Sequence, residues 1–337
     1  MAKSEAPKKR ITLKSVGTMF KSSFKGFLDD KVPKLASSLS YSTIFSMAPF
    51  LILIIALCGL FMGQDAIQGR IYGELEKFLG HNTALQLQDL VKNAAIHGKG
   101  VLATVIGVIA LLLGATGIFA EIQDSVNMIW GLKPVPKNGL LKLLSNRLLS
   151  FSLIISLGFL LLVSLGFSAI VDTLSDKLKD QFSGPTVVVF YILNQIFGFL
   201  IVAIIFAVIF RVLPDADIKW RSVLPGTIVS TCLFILGKFG LSFYISTSAV
   251  GSTYGAAGAL AVFLLWTYFS SLILYFGAEF TKSYALEIGE TIHPSEYAVA
   301  VKQVPVKKAD NVIDKKSVEK ERKIADDSLK QKKGPAI

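Results

Sequence analysis

Five ionisable side chains interrupt stretches of this chain that are otherwise apolar: Glu121, Asp124, Arg211, Lys238 and Glu279. A charge within an apolar run is costly unless it is paired, hydrated in a cavity or placed near the end of the run, so such residues are functional candidates. Glu279 stands in "LLWTYFSSLILYFGAEFTKSYA", ahead of the first lysine of that stretch. Arg211 is its first candidate partner and Arg147 its second. An ion pair there could fasten helix ends, fixing register without adding much stability, or it could line a polar cavity. Glu121 and Asp124 are spaced to share one helix face. Lys238 has a stem long enough to reach an interface while its charge stays wet. The alternative is an ammonium that faces a cavity and attracts an anionic substrate or lipid headgroup. Asn194 and Gln195 fall at a comparable depth and are candidates to line that same cavity.

Other chemistry has little to stand on. The histidines are His81, His97 and His293, and the cysteines Cys58 and Cys232 each lie inside an apolar run with no pairing suggested by spacing. HExxH, GxSxG and P-loop patterns are absent. The one conceivable metal set, Glu121, Asp124 and Glu279, lies beside arginines. No catalytic residue, cofactor or metal is therefore expected. The net charge of +11 could signal nucleic acid. Its location at the two ends and in loops fits segments beside anionic lipid instead. Membrane lipids are the expected partners, with a lipid or a small molecule as substrate, and no nucleic acid.

The elements that must position these residues follow from hydropathy. Of 337 residues, 52% are hydrophobic, and the mean hydropathy is +0.58. The excess is concentrated in runs of about 20 residues, the length that a helix needs to cross a bilayer. Backbone groups in lipid must pair within their own segment, which favours helices. The expected fold is all-α: a polytopic bundle of six transmembrane helices with amphipathic surface helices. The spans fall at about 35–62, 100–121 (continuing as helix to Trp130), 147–171, 187–210, 222–245 and 256–281. They form a membrane domain over 35–285. Residues 1–34 are a basic lead whose Leu13, Val16, Met19, Phe20, Phe24, Phe27 and Leu28 trace one helix face. That helix could lie in the interface or pack on the bundle's end. Residues 64–98 predict two short amphipathic helices, and 290–337 a disordered basic tail. No cleavable signal peptide is expected at the N-terminus. Pro49 is expected to kink the first span. Gly251, Gly255 and Gly258 suit close helix packing or a hinge.

An even number of spans puts both termini on one side. That side receives the lysines and arginines from Lys3 to Lys34, the loop with Lys133, Lys137, Lys142 and Arg147, and the loop with Arg211, Lys219 and Arg221. The other receives Arg70, Lys77, Lys92, Lys99, Lys177 and Lys179. The positive-inside rule then makes both termini cytoplasmic.

Several stretches resemble the YihY/BrkB family of bacterial inner-membrane proteins. "LASSLSYSTIFSMAPFLILI" is similar to its first-span signature, with Ser37, Ser38 and Ser40 where the family tends to have alanine. "DSVNMIWGL" fits the stretch after the second span. "FRVLPDADIKWRSVLPGTIVS" resembles the link between the fourth and fifth spans, including Arg211, Leu213, Pro214 and Asp215. "YGAAGALAVFLLWTYFSSLILYFGAEF" resembles the last span, with Gly277, Ala278 and Glu279. The resemblance covers about 20–285. It implies a six-span inner-membrane protein, a ribonuclease label now regarded as a misassignment, and a transporter or a translocase of lipids or lipid-linked precursors. A non-transporting membrane scaffold is the alternative.

Overall fold

The computed structural model describes residues 12–62, 64–79, 81–94, 101–135, 148–160, 163–164, 185–247, 258–290, 292–295 and 298–301. Helix α1 spans Leu13–Asp29 and starts at a reciprocal cap: Thr12 Oγ1 accepts from the Ser15 N–H, and Ser15 Oγ accepts from the Thr12 N–H. Lys31, at φ 54°, makes a tight left-handed elbow into α2, Val32–Met62. Then come α3 (Gln64–Leu79), α4 (His81–Ala94) and α5 (Val101–Ile129). The apolar helix Leu148–Leu160 is α6. With residues 163–164, it is the described part of the expected third span. The remaining helices are α7 (Pro185–Val212), α8 (Trp220–Thr247) and α9 (Gly258–Glu287).

Four of the described helices, α2, α7, α8 and α9, are long and apolar enough to cross a membrane. The protein is an all-α polytopic membrane protein. The other two expected spans fall on α5, which has 29 residues, and on the partly described stretch that includes α6. The hydroxyls at the start of α2 need no partner from another helix. Ser40 and Thr43 are buried, and each donates to the carbonyl one turn back, Ala36 and Leu39.

Small residues let the helices touch. α2 packs on α5 and α8 packs on α9. A Cβ on Gly114 would lie 2.8 Å from Pro49 Cγ, and one on Gly117 would lie 2.9 Å from Ser46 Oγ. On the α8–α9 seam, a Cβ on Gly277 would collide with Ser230 and one on Gly226 with Thr281. The core they enclose includes Phe119, Val126 and Ile129 of α5, Phe210 of α7, and Leu274, Tyr275 and Ala278 of α9. Outward, α7 exposes Ile192, Ile196, Leu200 and Ile204 at four-residue intervals, and α8 exposes Leu224, Ile228, Leu236, Phe239 and Phe243. These faces suit acyl chains.

Two short ladders depart from the sequence expectation. Leu132–Pro134 (β1) pairs antiparallel with Ala298–Ala300 (β4), and Ala216–Asp217 (β2) with His293–Pro294 (β3). The segment after α9 was expected to be disordered from residue 290. Instead, its described part runs back across the loops after α5 and α7. Backbone pairing holds it, reinforced by the Val301 N–H donating to Gly131 O at 2.7 Å. The rest of the tail, 302–337, lies outside the described residues, as do 1–11, Gly251 and Gly255.

Candidate functional site

The ends of α1, α5, α7 and α9 and the start of α8 meet at one end of the bundle, where most of the candidate charges lie. Glu279 is only 1% exposed. Its ionic partner among the described residues is Lys282, whose Nζ lies 3.7 Å from Glu279 Oε2. Arg211 does not fill that role, and Arg147 is outside the described residues. The reason is helical: residues three apart on one helix face are always within reach, whereas Arg211 ends a different helix.

Lys282 joins three helices. Besides Glu279 it pairs with Asp30 Oδ2, at the C-cap of α1, at 3.1 Å. It also donates to the Ile129 carbonyl at the end of α5, where the helix dipole favours a cation. Trp130 Nε1 donates to Ala278 O at 3.0 Å and ties the same end of α5 to α9. Glu279 Oε1 is buried without a hydrogen-bond partner among the described residues. The backbone of Gly26 lies against the Glu279 carboxyl, and a Cβ there would stand 2.5 Å from Oε2. This end is therefore a densely fitted clasp with one under-satisfied carboxyl.

A second polar lock holds the loop after α7. The Asn127 amide donates to Asp215 Oδ2 at 3.0 Å, and the Asp215 N–H donates to Asn127 Oδ1 at 2.8 Å. Asp30, Asn127, Trp130 and Lys282 were not singled out from sequence. Asn127 and Trp130 sit in the quoted "DSVNMIWGL", and Lys282 is at i+3 from Glu279. The local spacing was therefore a usable signal for Lys282, but nothing local points to Asp30.

The other candidates separate. Glu121 is half-buried and Asp124 exposed on α5, and both act electrostatically on Tyr275 of α9. Arg211 lines a recess of about 480 Å³ with Pro214, Asp215, Asp217, Trp220 and Ser295. Lys238 lies far from this end, about 27 Å of helix beyond Trp220 at 1.5 Å per residue. It lines a cavity of about 570 Å³ between α8 and α9, with Phe234, Tyr244, Trp266, Phe269 and Ile273. Gln195 is exposed and is not in that lining. The side chain of Asn194 is outside the described residues.

The cavity wall is shaped by glycine. Ile273 Cδ1 would lie 2.9 Å from a Cβ on Gly237, while at Gly240 nothing stands within 4 Å of that position. Phe239 and Phe243 of α8 are exposed and are not in that lining. An apolar cleft with a cation in its wall suits an amphiphile with a negative group. Among the described residues no cluster of His, Cys, Asp or Glu could hold a metal ion.

Comparison with known proteins places residues 23–299 in a match to the family described as virulence factor BrkB. A UPF0761 membrane protein of Ralstonia nicotianae is 25% identical over 255 residues, covering 74% of this chain and 55% of its own length. One of Methylibium petroleiphilum is 28% identical, covering 75% and 58%. A shorter one of Haemophilus influenzae is 25% identical, covering 84% and 99%. The chain thus spans little more than half the length of the first two relatives. No solved structure matches it.

Proposed function

We propose that this chain, which belongs to the virulence factor BrkB family, moves an anionic amphiphile, a lipid or lipid-linked precursor, in the inner membrane of a bacterium. The observation that carries this reading is the cleft between α8 and α9. Its wall is apolar and aromatic, it lies on a membrane-spanning helix pair, and it holds Lys238. A half-buried ammonium within a span is a functional candidate by default, since it is costly unless it serves a ligand, a partner or a pathway. Both termini are then cytoplasmic, as the distribution of lysine and arginine requires, and the Glu279–Lys282 clasp closes the cytoplasmic end. No bond is made or broken in this reading, so the protein acts without catalytic residues or cofactor.

The test is mass spectrometry of lipid extracts from the purified protein. Wild type should retain an anionic lipid above its share in the membrane. Lys238→Gln should lose that enrichment, and Gly240→Leu should lose it too, because the added side chain fills the cleft. Leucine is also a better helix former than glycine, so the variant keeps its helix. An enrichment unchanged in both variants would favour a scaffold, in which the charges only fasten helices.

A further inference from the structure

The recess at the opposite end of α8 holds a second kind of chemistry. It lies where α7 ends and α8 begins, so it opens at the level of lipid headgroups. Two polar atoms of its lining residues, Arg211 Nε and Ser295 Oγ, are buried without hydrogen-bond partners among the described residues. Buried donors left unpaired are costly, and a ligand that brings acceptor oxygens to this recess offsets that cost. The lining is not uniformly positive. Asp217 is exposed within it, and Asp215 is held by Asn127. A purely anionic group would meet these carboxylates, and a purely cationic one would meet the Arg211 guanidinium. A group carrying both charges satisfies both sides.

We propose that this recess binds a zwitterionic headgroup, an ammonium beside a phosphate, with Arg211 and Ser295 on the phosphate oxygens and Asp217 on the ammonium. The source is a phospholipid rather than a soluble zwitterion. Trp220 at the rim is 52% exposed, and Leu224 one turn further along α8 is also exposed. These side chains give an acyl-bearing ligand an apolar path from the recess onto the outward face of α8. Tryptophan is enriched at this level of membrane helices. The strand pair β2–β3 holds the recess in shape: it brings Ser295 beside Asp215, whose carbonyl accepts from the Ser295 N–H at 3.0 Å. This site is separate from the Lys238 cleft and does not depend on it.

The test uses the full-length protein carrying Lys238→Gln, so that the cleft no longer holds an anionic lipid, stripped of lipid in detergent, with native mass spectrometry as readout. The probes are dioleoyl phosphatidylethanolamine, dioleoyl phosphatidylglycerol (same phosphate, no ammonium) and soluble phosphoethanolamine. The ethanolamine lipid should bind about tenfold more tightly than the glycerol lipid, a difference of about 1.4 kcal/mol. Soluble phosphoethanolamine should not compete at matched concentration. Arg211→Gln added to this Lys238→Gln protein should lose both lipids, whereas Arg211→Gln alone should keep the glycerol lipid in the cleft. Asp217→Asn, at an exposed position that leaves the fold intact, should keep binding but lose the preference between them. Wild type should bind additional glycerol lipid through Lys238, which separates this site from the cleft. Equal binding of the two lipids to the Lys238→Gln protein, or a preference that survives Asp217→Asn, would overturn the assignment. Competition by the soluble headgroup at matched concentration would overturn the lipid source.

Discussion

Glu279 has almost no access to water, and its nearest cation lies 3.7 Å away on the next turn of its own helix. That cation, Lys282, is committed to Asp30 and to the end of α5 as well. The two carboxyl groups are close enough to act on one another, so Glu279 competes with Asp30 for a shared ammonium. Substitution should therefore be asymmetric. Lys282→Gln strips the clasp of the one cation it has among the described residues and leaves two carboxyls together, and should cost about 1.5–3 kcal/mol, the range for hydrogen bonds to charged groups. Glu279→Gln keeps the shape and removes the like-charge contact, so thermal stability in detergent should hold or rise. In a double-mutant cycle the Lys282 loss should shrink in the Glu279→Gln background. Equal and additive losses would mean that the two residues act independently. The sequence made Glu279 conspicuous, because a carboxylate in an apolar run is rare. It did not reveal Asp30, which contacts Lys282 only through the fold.

At the scale of elements, the α8–α9 seam is set by absent side chains. The close facing of Gly277 on Ser230 and of Gly226 on Thr281 leaves no room for a methyl group. Gly277→Ala and Gly226→Ala should each lower stability by about 1–3 kcal/mol, the usual cost of overpacking. Gly198→Ala on α7, with nothing within 4 Å of its added atom, should be neutral or slightly stabilising. Melting curves of the three purified variants check this, and a loss at Gly198 equal to that at Gly277 would remove the packing argument. The long helices were legible because twenty-residue apolar runs leave few alternatives. The strands β1 to β4 were not, since two or three residues are too few to show an alternating pattern. Their pairing partners come from loops and from the far end of the chain. Removal of residues 292–337 takes away β3 and β4 and should lower the melting temperature, whereas removal of 302–337 spares both strands and should leave it nearly unchanged.

For the whole molecule, the structure collects the ends of α1, α5, α7 and α9 and the start of α8 on one side, and the proposed orientation, argued from the charge distribution, faces that side to the cytoplasm. In a background with Cys58 and Cys232 replaced by serine, an impermeant maleimide should label Thr247→Cys in spheroplasts and spare Lys133→Cys until the membrane is opened. The reverse pattern would invert the protein. The Lys238 cleft was only half legible. An ammonium in an apolar run announced an exceptional site, but the space between α8 and α9 depends on Gly237 and Gly240 lying opposite Trp266 and Ile273, a register that no spacing within either helix reveals. The claim that this cleft carries an amphiphile is tested most directly in proteoliposomes with a fluorescent anionic lipid, by following how fast the inner-leaflet label becomes accessible to an external quencher. Wild type should accelerate that exposure over protein-free vesicles. Gly240→Leu, reconstituted to the same density with an unchanged melting temperature, should return it to the protein-free rate. A Gly240→Leu protein that moves the lipid as fast as wild type would contradict the account.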